Sequence, residues 1–137
     1  MAIDRKMIDN ALKKIVVPFL RKYGFNGSLP HFRRKNETNI DLITIQFNRW
    51  GGSFVVELTT CPIAGVTTYS GEHIPSNKVT AQDITERFRL GAETKDGDGI
   101  WFDFEAAEAE EDFEVVASSV INLLYITDPL WITNLLN

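Results

Sequence analysis

The chain has 137 residues, of which 44% are hydrophobic and 24% are charged, and its formal net charge is −5. This balance is that of one ordinary globular domain with a hydrophobic core, and it excludes a disordered chain. The negative charge argues against generic binding to nucleic acid or to an anionic membrane, because both rely on positive surface. We therefore expect a single domain over residues 1–137 that binds neither.

The cysteine content and the first residues indicate a cytoplasmic protein. Cys61 is the single cysteine, so no internal disulfide can form. Residues 3–9 are too charged for the hydrophobic region of a signal peptide. No apolar run approaches the roughly 20 residues that a membrane span requires.

The first predicted element is an amphipathic helix that begins near Asp4 and ends at Gly24. Its apolar residues recur at the spacings of one helix face: Ile3, Met7, Ile8, Ala11, Leu12, Ile15, Val16, Phe19, Leu20 and Tyr23. Pro18 lacks a backbone donor, so we expect a kink or a break between Lys14 and Pro18.

The strongest strand signal is a pair of alternating segments that meet at Trp50-Gly51-Gly52. The apolar positions that would share one face are Ile43, Ile45, Phe47, Phe54, Val56 and Leu58. Successive side chains of a strand point to opposite faces, so this pattern predicts strands with one buried and one semi-polar face. Gly-Gly between such segments indicates a hairpin, because glycine readily adopts positive φ.

Shorter strands are predicted at 29–35, 87–90 and 100–104, where apolar residues also alternate with polar ones. Residues 62–86 lose this periodicity and predict a long loop, with one helical turn that begins at Thr80.

Two helices are predicted at the end of the chain. The first follows residue 104, with an acidic start at 105–114 and an apolar stripe from Phe113 to Leu124. Asp128-Pro129 then predicts a short terminal helix through Leu136. The expected fold is α+β: an antiparallel sheet of about five strands, with the N-terminal and C-terminal helices packed on one face and the opposite face open.

Several segments resemble one protein family in the same order. The first helix ends in Val17-Pro-Phe-Leu-Arg-Lys-Tyr-Gly-Phe25, and the hairpin contains Ile45-Gln-Phe-Asn-Arg-Trp-Gly-Gly-Ser-Phe54. Shorter likenesses are His31-Phe-Arg33, Arg89-Leu-Gly91 and Trp101-Phe102. The family is number 4304 among the bacterial domains of unknown function, and the resemblance covers roughly residues 4–125. It implies a small α+β bacterial protein with no established activity; the 62–86 loop and the terminal helix depart from the family pattern.

The predicted open face of the sheet is the best candidate for a binding site. The residues at positions alternate to the core set would lie side by side: Gln46, Asn48, Trp50, Glu57, Arg87, Arg89, Trp101 and Asp103. Arginine and tryptophan are enriched at binding hot spots. The alternative is a solvated face with cross-strand ion pairs, such as Glu57 with Arg87 or Arg89, and the sequence leaves both interpretations open.

Catalytic and metal chemistry have little support in the sequence. Cys61 and His73 could form a thiolate pair, but Cys61 follows a buried strand and His73 lies in the long loop. Structural zinc needs four closely placed cysteine or histidine ligands. The segment at 96–99 resembles a calcium loop but lacks its third acidic residue and its glutamate. We expect no catalytic residue, no metal and no cofactor.

The acidic run at 105–114 also has two interpretations. The helix dipole favours negative charge at a helix start, and the same charge would speed the docking of a basic protein. We expect a non-enzymatic binding module, of the immunity type or otherwise regulatory, that covers a basic protein partner and is a monomer or a homodimer.

The alternative function is a small enzyme or a small-molecule binder that uses Arg87, Arg89 and Trp101 for an anionic ligand. A deep pocket at those arginines would favour a ligand, whereas a flat face with a protruding 62–86 loop would favour a protein partner.

Overall fold

A computed structural model describes residues 2–92 and 98–127. Helix α1 spans Ala2–Lys22 and helix α2 spans Glu110–Thr127. The strands in the described part are β1 (Asn26–Ser28), β2 (His31–Lys35), β3 (Asn39–Phe47), β4 (Ser53–Pro62), β5 (Val66–Thr67), β6 (His73–Ile74), β7 (Phe88–Arg89) and β8 (Phe102–Asp103). A 3₁₀ turn spans Ala81–Asp83. The terminal helix predicted from Asp128 lies outside the described residues.

Within the described residues, the main sheet is antiparallel and contains six strands. Strands β1, β2, β3 and β4 are neighbours in that order, and both β7 and β8 pair with the free edge of β4. The predicted hairpin is confirmed as β3 and β4, with Ile45 opposite Val56. Its turn contains Gly51 and Gly52, both with positive φ, which explains why glycine occupies these positions.

Both helices pack on one face of this sheet, so the predicted α+β class is confirmed. The helices contribute to the main core Ile8, Leu12, Val16, Leu20, Phe113, Ala117, Val120 and Leu124, and the sheet contributes Phe32, Ile43, Ile45, Phe54, Val56, Leu58 and Phe102. Helix α1 runs through Pro18 to Lys22, so the predicted break is absent. Helix α2 begins at Glu110, later than the acidic run suggested, because residues 105–109 form turns.

The prediction of an open opposite face is wrong. Residues 62–86 fold back over that face and, with strands β3 and β4, form a second apolar cluster: Ile40, Leu42, Cys61, Val79 and Ala81. Strand β3 therefore carries apolar side chains on both of its faces, as expected of a strand that has packed structure on both sides. The 3₁₀ turn confirms the predicted helical turn, and the Thr80 backbone N–H donates to Asp83 Oδ2 at 2.8 Å.

Two arginines hold this covering segment on the sheet. Arg33 of β2 donates from Nε and Nη2 to the Val79 carbonyl, at 3.1 and 2.8 Å. Arg87 donates from Nη1 to the carbonyls of Gln82 and Ile84, at 3.0 and 3.2 Å. Backbone carbonyls of an irregular segment need donors when the segment packs against a protein surface, and these side chains supply them.

A buried ion pair closes the other side of the sheet near the end of α1. Arg34 Nε lies 3.1 Å from Asp41 Oδ2, and both side chains are almost fully buried. Arg34 also donates to the Tyr23 carbonyl at 2.6 Å and lies over the Phe25 ring. Burial raises the pKa of Asp41, and the hydrogen bond from Arg34 acts against that rise.

Candidate functional site

Four of the eight predicted site residues form one cluster on the covered face of the sheet. Glu57 Oε2 lies 3.2 Å from Arg87 Nε and 3.6 Å from Arg89 Nε. The Arg89 guanidinium lies over the Trp101 ring, 5.6 Å from its centre. Glu57 is only 1% exposed, so the carboxylate is the buried base of an ion-pair cluster rather than part of an open polar surface.

The donors of this cluster are largely engaged within the protein. Arg87 bonds both Glu57 and the carbonyls of the covering segment. Glu57 Oε1 is buried and has no hydrogen-bond partner in the described part of the chain. The arrangement fits a structural contact between strand β4 and the covering segment, because a buried carboxylate needs opposite charge close to it.

The other four predicted residues lie on β3, on β8 and at the β3–β4 turn. Gln46 is half-buried in β3, opposite Val55. Asp103 is exposed on β8, and its Oδ1 accepts a hydrogen bond from the Glu105 N–H at 2.8 Å. Asn48 Oδ1 accepts a hydrogen bond from the Trp50 N–H at 2.9 Å and so shapes the hairpin turn, where Trp50 is 83% exposed. The eight residues therefore divide between the Glu57 ion-pair cluster and positions on β3, on β8 and at the hairpin turn.

A groove lies where the segment after β8 meets the start of α2. We call it the acidic groove, and its volume is about 670 Å³. Its lining residues are Asp103, Glu105, Ala106, Ala107, Asp112, Val115 and Val116. Val115 is 68% exposed although it is apolar, so the groove combines carboxylates with accessible hydrophobic surface.

The carboxylates around the acidic groove are ionised or exposed. Asp112 Oδ2 accepts hydrogen bonds from the N–H groups of Glu108 and Ala109, at 3.0 and 2.9 Å, and these bonds lower the pKa of Asp112. Glu105 and Glu108 are exposed, and neither forms an ion pair with another residue that the structure describes.

A different part of the acidic run faces helix α1. Lys14 Nζ lies 2.8 Å from Glu114 Oε2 and 3.8 Å from Glu110 Oε1. The hydrogen bond from Lys14 is the main reason that the pKa of Glu114 is lowered. The predicted acidic run therefore divides into residues that bind α1 and residues that face solvent or the groove.

A second, smaller cavity of about 270 Å³ lies beside the β3–β4 turn, and we call it the turn cavity. Its lining residues are Arg5, Phe47, Asn48, Arg49, Trp50, Gly51, Gly52 and Phe104. Asn48 and Trp50 belong to the predicted set, whereas Arg5 and Arg49 do not. Arg5 belongs to α1 and is far from the turn in sequence, so no local pattern could place it there.

Cys61 and the two histidines each have a local contact or a buried environment within the fold. Cys61 is buried in the second apolar cluster, and burial raises the pKa of its thiol. His73 Nδ1 lies 3.3 Å from Thr67 Oγ1 in the β5–β6 hairpin. His31 Nδ1 lies 2.9 Å from Thr44 Oγ1, and burial lowers the pKa of His31. These are the environments of structural residues.

The fold and the two cavities define a small α+β domain whose surface carries an acidic groove beside an arginine-lined cavity. The chain belongs to the family described as Domain of unknown function (DUF4304), whose model matches residues 16–125. The predicted resemblance is thereby confirmed as to the family. No curated protein and no solved structure is significantly similar to the chain. Among the helices of the described residues, none has the length and hydrophobicity to cross a bilayer.

Proposed function

We propose that this protein is a non-enzymatic binding module that covers a basic surface of a partner protein with its acidic groove. The observation that supports the proposal is the groove itself, about 670 Å³ in volume, in which ionised Asp112 lies beside exposed Val115. Protein interfaces commonly combine an apolar centre with a charged rim. Opposite charge on the partner would speed the encounter and select the orientation of docking.

The chemistry of the groove favours lysine or arginine side chains on the partner. Their aliphatic stems would pack on Val115 and Ala107, while their charged ends would reach the carboxylates of Glu105 and Asp103. Such a contact needs no reacting group in the module. The action would be occlusion, as when an immunity protein covers the active surface of a toxin, or when a regulator blocks a binding site.

The alternative function, an anionic ligand at Arg87, Arg89 and Trp101, has less support from the geometry. Arg87 is bonded to Glu57 and to backbone carbonyls, and Arg89 is paired with the same carboxylate. A ligand at this place would have to displace contacts that hold the covering segment. A cytoplasmic location and a bacterial origin belong to the proposal as expectations.

A comparison of three baits in affinity capture from the source cells tests the proposal. The first bait is the unchanged protein, and the second carries Glu105→Lys and Val115→Lys in the acidic groove. The third is a matched control with Glu72→Lys and Tyr69→Lys on the β5–β6 hairpin, where Tyr69 is fully exposed. Each double substitution replaces one glutamate and one exposed apolar residue, so both change the net charge by the same amount.

We expect a basic protein that the unchanged and control baits capture and that the groove bait loses. The captured protein is then purified and titrated against each variant. Equal capture by all three baits, capture of an acidic protein, or capture of nothing specific would contradict the proposal. Unchanged melting temperatures for both double variants show that the difference is one of binding, since all four positions are exposed.

A further inference from the structure

We propose that the turn cavity is a binding site for a small aromatic monoanion, meaning one aromatic ring that carries a carboxylate. The site is separate from the acidic groove and carries the opposite charge, so it does not depend on the function proposed above.

Both arginines of the turn cavity lie over aromatic rings. The guanidinium carbon of Arg5 lies 3.6 Å from the centre of the Phe47 ring, a distance that requires face-to-face stacking. The guanidinium of Arg49 lies 5.0 Å from the centre of the Trp50 ring. A stacked guanidinium keeps its N–H groups in its own plane, so they remain directed sideways and available to an oxygen ligand.

The charge of this pair is only half compensated. Arg5 Nε lies 3.2 Å from Asp9 Oδ1, one turn along α1. Arg49 forms no ion pair with any residue that the structure describes, and its contact there is with the Trp50 ring. Glu105, which follows Phe104, lines the acidic groove, and its side chain also packs beside Gly52 at the edge of the turn cavity. Arg49 therefore has no ion-pair partner among the described residues, and a ligand with a single negative charge would supply one.

Of the aromatic rings around the arginines, that of Trp50 is accessible, whereas Phe104 is buried. Trp50 is 83% exposed, and the rings of Phe47 and Phe104 meet edge to face at 6.4 Å. Tryptophan is among the residues most enriched where binding energy concentrates. A planar ring that stacks on Trp50 would bury this surface while its carboxylate reaches Arg49.

The size of the cavity limits the ligand to one or two rings. Its volume of about 270 Å³ corresponds to roughly nine water molecules at about 30 Å³ each. Pockets for larger organic ligands begin at about 300 Å³. A single aromatic ring with one carboxylate therefore fits, and a dinucleotide cofactor does not.

The test is a titration followed by two-dimensional ¹H–¹⁵N NMR, in which the Trp50 indole N–H and the Arg49 Nε–H report on the site. Four probes are compared: benzoate, benzyl alcohol as the uncharged ring, acetate as the anion without a ring, and phenyl phosphate as a dianion. We expect saturable shifts of both signals with benzoate at millimolar concentrations. Benzyl alcohol and acetate should bind at least about tenfold more weakly, because each lacks one of the two contacts.

Arg49→Gln should weaken benzoate binding by about tenfold, which is the loss of one charge-assisted contact. The matched control is Lys35→Gln, an exposed cation at the end of β2 and outside the turn cavity, and it should bind benzoate like the unchanged protein. Unchanged signals from the remainder of the protein show that the Arg49 variant is folded.

Three results would overturn the assignment. The first is the absence of saturable shifts with benzoate. The second is equal binding of benzyl alcohol or acetate, or equal binding by the Arg49 variant. The third is binding of phenyl phosphate at least about tenfold more tightly than benzoate, which would assign a phosphate monoester in place of the monoanion.

Discussion

The substitution Arg87→Met should destabilise this protein far more than Arg89→Met, although the two arginines are neighbours on one carboxylate. Methionine keeps most of the aliphatic stem and removes the guanidinium. Arg87 then loses its ion pair with Glu57 and its bonds to the carbonyls of Gln82 and Ile84. Arg89 loses only a 3.6 Å ion pair and a stacking contact with half-exposed Trp101.

The magnitude follows from the number and exposure of these contacts. Each charge-assisted bond to a partly exposed carbonyl contributes about 1 kcal/mol, and the half-buried ion pair about 1 kcal/mol more. The expected loss for Arg87→Met is therefore about 3 kcal/mol, against about 1 kcal/mol for Arg89→Met. For 137 residues the entropy of unfolding is about 0.29 kcal/mol/K, so the melting temperature should fall by about 10 °C and about 3 °C respectively.

The assay is thermal unfolding followed by circular dichroism, supported by urea titration of both variants. Limited proteolysis should also cut the Arg87 variant faster within residues 62–86, because that segment loses a tie to the sheet. Equal shifts for the two variants, or a fall below about 3 °C for Arg87→Met, would refute the assignment of Arg87 to the covering segment. The place of both arginines in a ligand site would then need to be considered again.

Three further predictions concern the second cluster, the thiol and the start of α2. Val79→Ala removes two buried methyl groups and should cost about 2 kcal/mol, seen as a fall of about 7 °C in melting temperature; an unchanged value would mean that the segment does not pack as described. Cys61 should react with Ellman's reagent at pH 8 only after unfolding, because it is buried and its pKa is raised; a fast reaction of the native protein would contradict this. Asp112→Ala should lower the free energy of unfolding at neutral pH, because the hydrogen bonds from Glu108 and Ala109 favour the ionised form of Asp112. The difference in stability between the variant and the unchanged protein should shrink as pH falls below the ordinary aspartate pKa of 3.8 toward the lower folded pKa of Asp112. A difference that stays constant from neutral pH to pH 2 would show that the charge of Asp112 contributes nothing.

The main elements could be predicted from local pattern because each is determined by residues close in sequence. The alternation in β3 and β4, with glycines at 51 and 52, is sufficient to define the hairpin and its turn. In the short strands β7 and β8, the positions of Phe88 and Phe102 also indicate which side of each strand faces the main core. The covering of the opposite face was missed because an alternating pattern was interpreted as one buried and one open side.

The signal for that covering was nevertheless in the sequence. Ile40, Leu42 and Val55 lie at positions that were assigned to the semi-polar face, yet they are apolar and fully buried. A strand apolar at both alternate sets is one that is covered on both sides. What the sequence could not supply is the cover itself, since residues 62–86 show no periodicity. They attach to the sheet through a few apolar side chains, such as Val79 and Ala81, and through arginine contacts with backbone carbonyls.

The candidate site illustrates the same limit. The pairing of Glu57 with Arg87 and Arg89 could be proposed, because the alternating pattern places these side chains on the same face of neighbouring strands. The turn cavity could not, since it combines α1 with the β3–β4 turn and Phe104, which are far apart in sequence. The acidic groove lies within residues 103–116, but its shape depends on the turns between β8 and α2. Arg5 joins Arg49 only after α1 packs on the sheet, and Val115 becomes informative only once its exposure is known.

The most direct test of the proposed function is a binding titration between the captured, purified partner and this protein at low and at physiological salt. The account predicts that affinity falls as salt rises and that Glu105→Lys with Val115→Lys abolishes binding, while the matched Glu72→Lys with Tyr69→Lys control binds normally. Binding that is insensitive to salt and equal in both double variants would contradict the claim that the acidic groove recognises a basic protein.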